Sequence, residues 1–139
     1  MIVDPSAVIA ILRGQPEAEP LAEAVLDAGG AQMSAASYVE AAAVVDRVGD
    51  PVLSRRLDEL LELLHIALAP FDAAQAMAAR AAYADFGKGS GHPAGLNFGD
   101  CLTYGLAKAT GQPLLYIGDD FAQTDLHSAL GDESRRMGQ

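Results

Sequence analysis

Short apolar runs rich in β-forming residues alternate along this chain with longer Ala- and Leu-rich stretches of helical period. This alternation is typical of an α/β fold, because each parallel strand needs a crossover connection that is usually a helix. Four strands are predicted, at residues 1–3, around Gln32 and Met33, at 65–68 and at 114–117, and a fifth after Thr124 stays open. The predicted helices cover residues 6–13, 17–28, 38–48, 52–64, 72–86 and 98–110. We therefore expect a mainly parallel central sheet of four or five short strands flanked by helices.

Length and composition predict a single domain over residues 1–139. Half of the 139 residues are apolar, which suits one hydrophobic core, and no internal repeat or linker divides the chain. Residues 87–97 hold four glycines and a proline, so they are predicted to form one long irregular loop between two helices. The polar stretch at about 131–139 is predicted to be a frayed tail.

Charge and cysteine content narrow the functional class. The 19 acidic and 9 basic residues give a formal net charge of -10. Proteins that coat nucleic acid use clustered Lys and Arg, so any RNA contact here must be local. The single cysteine, Cys101, allows no internal disulfide, and no Cys/His cluster suggests zinc. We expect a cytoplasmic protein that is neither exported nor membrane-spanning, because a signal-peptide pattern and a run of about 18 apolar residues are both lacking.

Five acids lie where a predicted strand ends or a predicted helix begins: Asp4, Glu40, Asp100, Asp119 and Asp120. The carboxyl ends of parallel strands share one edge of a sheet, and ligands bind at that edge. If the carboxylates meet there they need a counter-ion, since two of them about 4 Å apart repel by roughly 4 kcal/mol at an effective dielectric constant of about 20. Carboxylate oxygens without His or Cys favour Mg²⁺ or Mn²⁺, and such a metal suits phosphoryl chemistry.

Each acid taken singly also has a structural interpretation as a helix cap or a turn residue. Asp4 precedes a proline, as an N-cap often does. Glu40 follows Ser37 by three residues and Asp100 follows Asn97 by three, which is the spacing of a capping box. The last two acids could form a turn that leads into a short helix. The conjunction favours a site, because a fold needs caps but does not need every cap at one sheet edge to be a carboxylate.

Three segments of the chain read MIVDPSAVIAIL, MSAASYVEAAAVV and GKGSGHPAGLNFGDCLTYGLAKATGQPLLYIGDDFAQTDL. They resemble the PIN-domain ribonucleases and, within them, the VapC toxins of bacterial type II toxin–antitoxin pairs, and the resemblance extends over nearly the whole chain. The first resembles the family's first strand, acid and helix, the second its Glu-bearing helix, and the third its most recognisable block. The resemblance implies a PIN-like three-layer α/β fold.

The resemblance also implies which acids are catalytic. Asp4, Glu40, Asp100 and one or both of Asp119 and Asp120 match the family's acidic quartet in the family's order. Asp4 and Asp100 match the metal ligands, with Mg²⁺ or Mn²⁺ as the cofactor. Asp120 is slightly favoured over Asp119, because the family usually keeps Asp at the second position of such a pair.

Two residues beside the first acid modify this picture. Ser6 matches a small hydroxyl residue that would support the site by orienting a metal-bound water. Pro5 departs from the family, which usually has Thr or Ser there, and a proline offers neither a hydroxyl nor a backbone N–H. Any contact that the usual residue makes is therefore in doubt.

The implied activity is metal-dependent cleavage of single-stranded or loop regions of RNA, in tRNA or rRNA, by a metal-activated water. The implied partners are a cognate VapB-type antitoxin and a second copy of the chain, with DNA contacted only through the antitoxin. Lys88 and His92 are candidate RNA contacts, whereas for Arg80 and Lys108 a solvated helix face is favoured.

Other functions fit the sequence less well. A haloacid-dehalogenase-type phosphohydrolase needs a second Asp two residues after Asp4, where Ser6 stands. A receiver domain needs an acceptor Asp directly after the third strand and a Lys after the last, and neither is present. A PIN-fold binding module that has lost activity through Pro5 stays open. Cys101 is favoured as a small buried side chain, and the leucine-rich residues 52–64 as core or as an interface.

Overall fold

The structure, a computed structural model, describes residues 1–131, so all but the first residue of the predicted frayed tail lies outside the described residues. Its centre is a sheet of four parallel strands, as predicted. The strands are β1 (Ile2–Val3), β2 (Ala31–Ser34), β3 (Ile66–Ala69) and β4 (Leu114–Leu115), in the order β3-β2-β1-β4. Ile2 lies opposite Gln32 on one side and Leu114 on the other, so β1 is interior and fully buried.

The last predicted strand is shorter than expected. Ile117 leaves the sheet because its N–H donates to the Ser6 hydroxyl (3.1 Å) and not to a neighbouring strand. After Thr124, a single bridge between Leu114 and Ser128 replaces the fifth strand that the sequence left open. The sheet within residues 1–131 therefore has four strands.

Six α-helices surround the sheet, close to the predicted positions. They are α1 (Pro5–Leu12), α2 (Ala18–Asp27), α3 (Ala35–Asp46), α4 (Pro51–Leu63), α5 (Ala73–Phe86) and α6 (Phe98–Thr110). Residues 87–97 are irregular as predicted, apart from one bridge between Gly87 and Leu96. No helix in the described part of the chain is long and apolar enough to cross a membrane.

The start of α3 corrects one sequence interpretation. The helix begins at Ala35, three residues before the predicted start, because the Ser34 hydroxyl caps it by accepting from the Ala36 N–H (3.2 Å). Ser37 is therefore inside the helix and fully buried, so the predicted Ser37–Glu40 capping box is wrong. The other capping box is confirmed: Asn97 Oδ1 accepts from the Asp100 N–H (2.8 Å), and Asp100 Oδ2 accepts from the Asn97 N–H (3.0 Å).

The core forms two apolar clusters, one on each face of the sheet. Consecutive strand residues point to opposite faces, so Ile2 and Val3 belong to different clusters. One cluster packs the sheet against α1, α2, α3 and α4, and the other packs it against α5 and α6, which makes three layers. In α4, Leu57 and Leu61 are core, as the core interpretation of residues 52–64 requires, while Val52 and Leu63 are exposed.

Candidate functional site

Asp4 is the most buried acid of the predicted set. It directly follows β1, caps the N-terminus of α1 and is 5 % exposed. Its Oδ2 accepts from the Ser6 N–H (2.9 Å), which is the N-cap role that the sequence suggested. Burial raises the pKa of Asp4, and the charge of Asp120 adds to this, while hydrogen bonds from Ser6 and Thr103 oppose it.

A buried chain of two hydroxyls supports the other carboxylate oxygen. The Thr103 hydroxyl, on α6, donates to Asp4 Oδ1 (2.7 Å), and the Thr103 and Ser37 hydroxyl oxygens are 3.1 Å apart. A hydroxyl has one proton, so when Thr103 donates to Asp4 it accepts from Ser37. Both residues are at most 1 % exposed. The charge of Asp4 is therefore held in one orientation by α1, α3 and α6.

Glu40 projects from the second turn of α3 towards the N-terminus of α6. Its carboxylate lies so close to Gly99 that a Cβ atom placed on Gly99 would be 1.5 Å from Glu40 Oε2. Partial burial raises the pKa of Glu40, and the charge of Asp4 raises it further. The charges of Glu40 and Asp4 therefore interact, although the two residues are 36 positions apart in the sequence.

Asp100 lies in the first turn of α6, next to Gly99. Burial raises the pKa of Asp100 to about 7, and the charges of Asp4 and Asp120 and a hydrogen bond with Asp120 contribute. The Asn97 N–H opposes this shift. A carboxyl whose charged form is disfavoured by burial and by neighbouring acids is a candidate for a functional site.

Asp119 and Asp120, the acid pair after β4, are both exposed, but only one of them acts on the other acids. The charge of Asp120 acts on both Asp4 and Asp100 and raises the pKa of each. The side chain of Asp120 makes no cap bond to the 3₁₀ helix that follows it. Asp119 contributes to none of the shifts described for Asp4, Glu40 and Asp100. This arrangement supports Asp120, which the sequence favoured, as the fourth acid.

Four acids from separate segments therefore interact electrostatically at the carboxyl edge of the sheet, and none of them forms an ion pair within residues 1–131. Within residues 1–131 the one ion pair joins Lys108 and Asp125, so no Lys or Arg of that range pairs with the four acids. No three His, Cys, Asp or Glu side chains of the same range converge on one ion position. Mg²⁺ commonly takes one or two carboxylates and keeps several waters, so this all-oxygen set fits a largely hydrated divalent cation.

The supporting and RNA-contact candidates have defined positions. Ser6 accepts from the Ile117 N–H (3.1 Å), so its hydroxyl joins the start of α1 to the chain beyond β4. Lys88 is exposed in the loop at 87–97, and the His92 ring packs edge-on against Phe86 with centroids 4.9 Å apart. Lys108 donates to Asp125 (2.7 Å), in line with the structural interpretation preferred for it.

Sequence reasoning missed Thr103 and Gly99. Thr103 follows Asp100 by three residues and Ser37 precedes Glu40 by three, and residues at that spacing share a helix face. Hydroxyls on the same faces as the acids were therefore an available signal. Gly99 gave no such signal, because the reason for a glycine there is the carboxylate of Glu40, which belongs to another helix.

Cys101 is buried, and burial raises the pKa of its thiol to about 11. The charge of Asp100 adds to this shift, so the thiol is a poor nucleophile at neutral pH.

Comparison with known proteins gives a consistent result at the level of family. The family model described as PIN domain matches residues 1–126. Ribonuclease VapC28 from Mycobacterium tuberculosis is 55% identical over 130 residues, which cover 94% of this chain and 98% of the relative. Ribonuclease VapC from Mycolicibacterium smegmatis is 50% identical over 127 residues, which cover 91% of this chain and 97% of the relative.

A solved structure supports the fold independently of sequence. The crystal structure of VapC20 from Mycobacterium tuberculosis, described as a toxin that cleaves the sarcin-ricin loop, superposes with a TM-score of 0.68. The match covers 90% of this chain and 95% of VapC20, with 13% sequence identity. At that identity the likeness concerns the fold, and it confirms the predicted three-layer α/β architecture.

Proposed function

Because the chain belongs to the PIN-domain family and, within it, to the VapC ribonucleases, we propose that it is the toxin of a VapBC-type toxin–antitoxin pair and a metal-dependent endoribonuclease. The observation that carries the metal-dependent part is the group of acids around buried Asp4, which have no cation to neutralise them within residues 1–131. A small-molecule phosphohydrolase is not supported by this family membership.

The residues have distinct roles in this proposal. Asp4 and Asp100 hold the ion, and Asp120 completes the negative set. When bound, Mg²⁺ or Mn²⁺ lowers the pKa of water and neutralises the phosphate oxygens. Glu40, partly buried beside Asp4, accepts or relays a proton from the attacking water. The Thr103 hydroxyl and the Ser6 N–H each donate to one oxygen of Asp4, and together they hold this carboxylate in one orientation.

The position of Pro5 argues against the inactive binding-module alternative. Pro5 is the first residue of α1, where a backbone N–H would have no partner within the helix. Asp4 takes its cap bond from the N–H of Ser6, so the proline does not disturb it. The loss of a hydroxyl at this position therefore leaves the orientation of Asp4 intact.

The substrate and partners follow from charge and chemistry. A net charge of -10 disfavours broad RNA binding, so RNA contacts rely on the ion and on local groups such as Lys88 and His92. We propose a single-stranded or loop region of tRNA or rRNA as the substrate, in the cytoplasm. The same charge favours a VapB-type antitoxin with a basic segment, since an Arg fits a carboxylate pair in two-point contact. A homodimer is part of the proposal.

The test is RNA cleavage by the purified protein with Mg²⁺ or Mn²⁺, with and without a chelator. Asp100→Asn keeps size and capping ability, so it should stay folded yet lose at least about 100-fold in cleavage rate, the upper end of losses at residues that only support a ligand. Asp125→Asn, an acid outside the site, is the matched control and should cleave like wild type. Mapping of RNA 5′ ends after induced expression of wild type and Asp4→Asn in the source bacterium identifies the target.

Two results would contradict the proposal. A folded Asp100→Asn variant that cleaves at the wild-type rate would remove Asp100 from the metal site. A folded wild-type protein that cleaves no RNA and causes no growth arrest would instead favour the inactive module.

A further inference from the structure

Gly99 is the residue of α6 that faces the Glu40 carboxylate. We propose that Gly99 is a positioning residue for Glu40: its missing side chain leaves the space in which that carboxylate lies beside the other acids. The inference rests on the proposed function, since it concerns the same site, but it adds a residue with no charge and no hydrogen-bonding side chain to it.

The geometry is specific to the end of the Glu40 side chain. A Cβ atom on Gly99 would lie 1.5 Å from Glu40 Oε2, 2.3 Å from Cδ and 2.6 Å from Oε1. All three distances are below 3.0 Å, so the two groups cannot occupy their positions together. The three nearest atoms all belong to one carboxylate, so any side chain at this position displaces Glu40 before anything else.

Backbone conformation does not explain the glycine. Gly99 is not among the residues with positive φ, so alanine can adopt its backbone angles. Glycine also disfavours a helix relative to alanine, because it has more conformational freedom to lose. Gly99 therefore lowers the intrinsic stability of α6, and the space for Glu40 is the compensating feature that the structure shows.

The position has a consequence for the charges of the site. Gly99 is adjacent to Asp100 in the first turn of α6, where the exposed N–H groups of a helix favour negative charge. The open volume lets a carboxylate from α3 share this turn with the carboxylate of Asp100. A displaced Glu40 would change the position of its charge relative to Asp4, whose charge acts on it in the native arrangement.

The experiment is a double-mutant cycle between positions 99 and 40. The proteins are wild type, Gly99→Ala, Glu40→Ala and the double variant, each measured for Mn²⁺ affinity by calorimetry, for RNA cleavage rate and for melting temperature. Gly99→Ala should lower cleavage or Mn²⁺ affinity by roughly 10- to 100-fold, in the range seen for residues that orient ligands. In the Glu40→Ala background the same change should have no effect on either, because the carboxylate it displaces is gone. In the Glu40→Ala background, Gly99→Ala should also raise the melting temperature, since alanine is a better helix former than glycine.

Gly105→Ala is the matched control on the same helix. A Cβ atom there would be 2.6 Å from the backbone oxygen of Gln75, so this change disturbs the packing of α6 on α5. It should lower the melting temperature equally in the wild-type and Glu40→Ala backgrounds.

The outcomes separate this inference from the proposed function. If Glu40→Ala impairs the protein but Gly99→Ala does not, or if Gly99→Ala impairs both backgrounds equally, Gly99 does not position Glu40. If wild type neither binds Mn²⁺ nor cleaves RNA, the proposed function fails first. Rescue of the Gly99→Ala variant by Glu40→Asp, whose shorter side chain withdraws the carboxylate, would support the steric basis directly.

Discussion

Acids beside the two ends of α6 are in opposite electrostatic states: Asp100 lies in its first turn, and Asp125, from the segment after β4, packs against its C-terminal half. At the C-terminal end, Asp125 accepts from Tyr104 and Lys108, each at 2.7 Å. Partial burial acts to raise the pKa of Asp125, but the hydrogen bonds from Lys108 and Tyr104 and the charge of Lys108 lower it overall. At the N-terminal end, burial and the charges of Asp4 and Asp120 raise the pKa of Asp100 to about 7. A carboxylate with a cation is structural, whereas one among other acids needs a proton or a bound cation.

Among changes that leave the acids themselves in place, the largest expected effect comes from weakening the support of Asp4 at the N-terminal end. Thr103→Val keeps the shape of the side chain but removes the donor to Asp4 Oδ1 and the acceptor for Ser37. We expect Mn²⁺ affinity and RNA cleavage rate to fall roughly 10- to 100-fold. The free energy of unfolding should also fall by about 1–3 kcal/mol, because polar groups are left unpaired. Calorimetry, cleavage assays and urea unfolding measure the three quantities.

Thr103→Ser is the control for this change, because it restores the hydroxyl in a smaller side chain. It should recover most of the metal affinity. If Thr103→Val binds Mn²⁺ and cleaves RNA as wild type does, the hydroxyl has no role in the site.

The pH dependence of stability should have opposite signs at the two ends. The pKa of Asp100 is raised from 3.8 to about 7 in the fold. In the metal-free protein the contribution of Asp100 to the free energy of unfolding is therefore fully present below about pH 4. This contribution is lost as pH rises towards 7. Asp100→Asn should gain stability relative to wild type over that range, by about 1–2 kcal/mol after allowance for partial exposure. Mn²⁺ affinity of wild type should rise over the same range, because the ion must displace the proton.

Asp125 provides the contrasting slope. The fold lowers the pKa of Asp125 below its ordinary value of 3.8. The stability that Asp125 contributes is therefore present above pH 3.8 and is lost as pH falls through the lower pKa of the folded protein. Urea unfolding of wild type, Asp100→Asn and Asp125→Asn at a series of pH values, in the presence of a chelator, tests both signs. Identical slopes for the two variants would show that the acids at the two ends do not differ as described.

The smallest expected effect comes from the cation at the C-terminal end. Lys108→Met removes an ion pair whose side chains are 54% and 45% exposed, and such pairs contribute at most about 1 kcal/mol. The melting temperature should fall slightly and RNA cleavage should stay at the wild-type rate. A large loss of cleavage would mean that Lys108 contacts RNA and that its pairing with Asp125 is not its main role.

The sequence predicted the sheet and all six helices because periodicity and capping residues are local signals. Its errors arise where one local signal competes with another. Ser34 and Ser37 can both cap α3, and the chain uses Ser34 because the strand before it ends there. The choice moved Glu40 from the first turn of the helix into the second, with its carboxylate beside Gly99.

The acids themselves were predictable because they follow strands or open helices, and parallel strands bring such positions to one edge. The contacts through which other residues orient them were not predictable. Thr103 reaches Asp4 across 99 residues of sequence, and Gly99 matters only through the carboxylate of another helix. Contacts of this kind depend on how α3 and α6 pack, which no local pattern of this chain encodes.

The strand order has a consequence for when the protein becomes active during its synthesis. Strand β4 pairs with the interior strand β1, and the Asp4 N–H donates to Leu115 O (3.0 Å), so the first and last strands of the sheet are neighbours. The ribosome must therefore add more than 100 residues after Asp4 before Asp120 can join it. A nascent chain therefore lacks the complete acid set until that point, and the site cannot assemble before both α6 and β4 have been made.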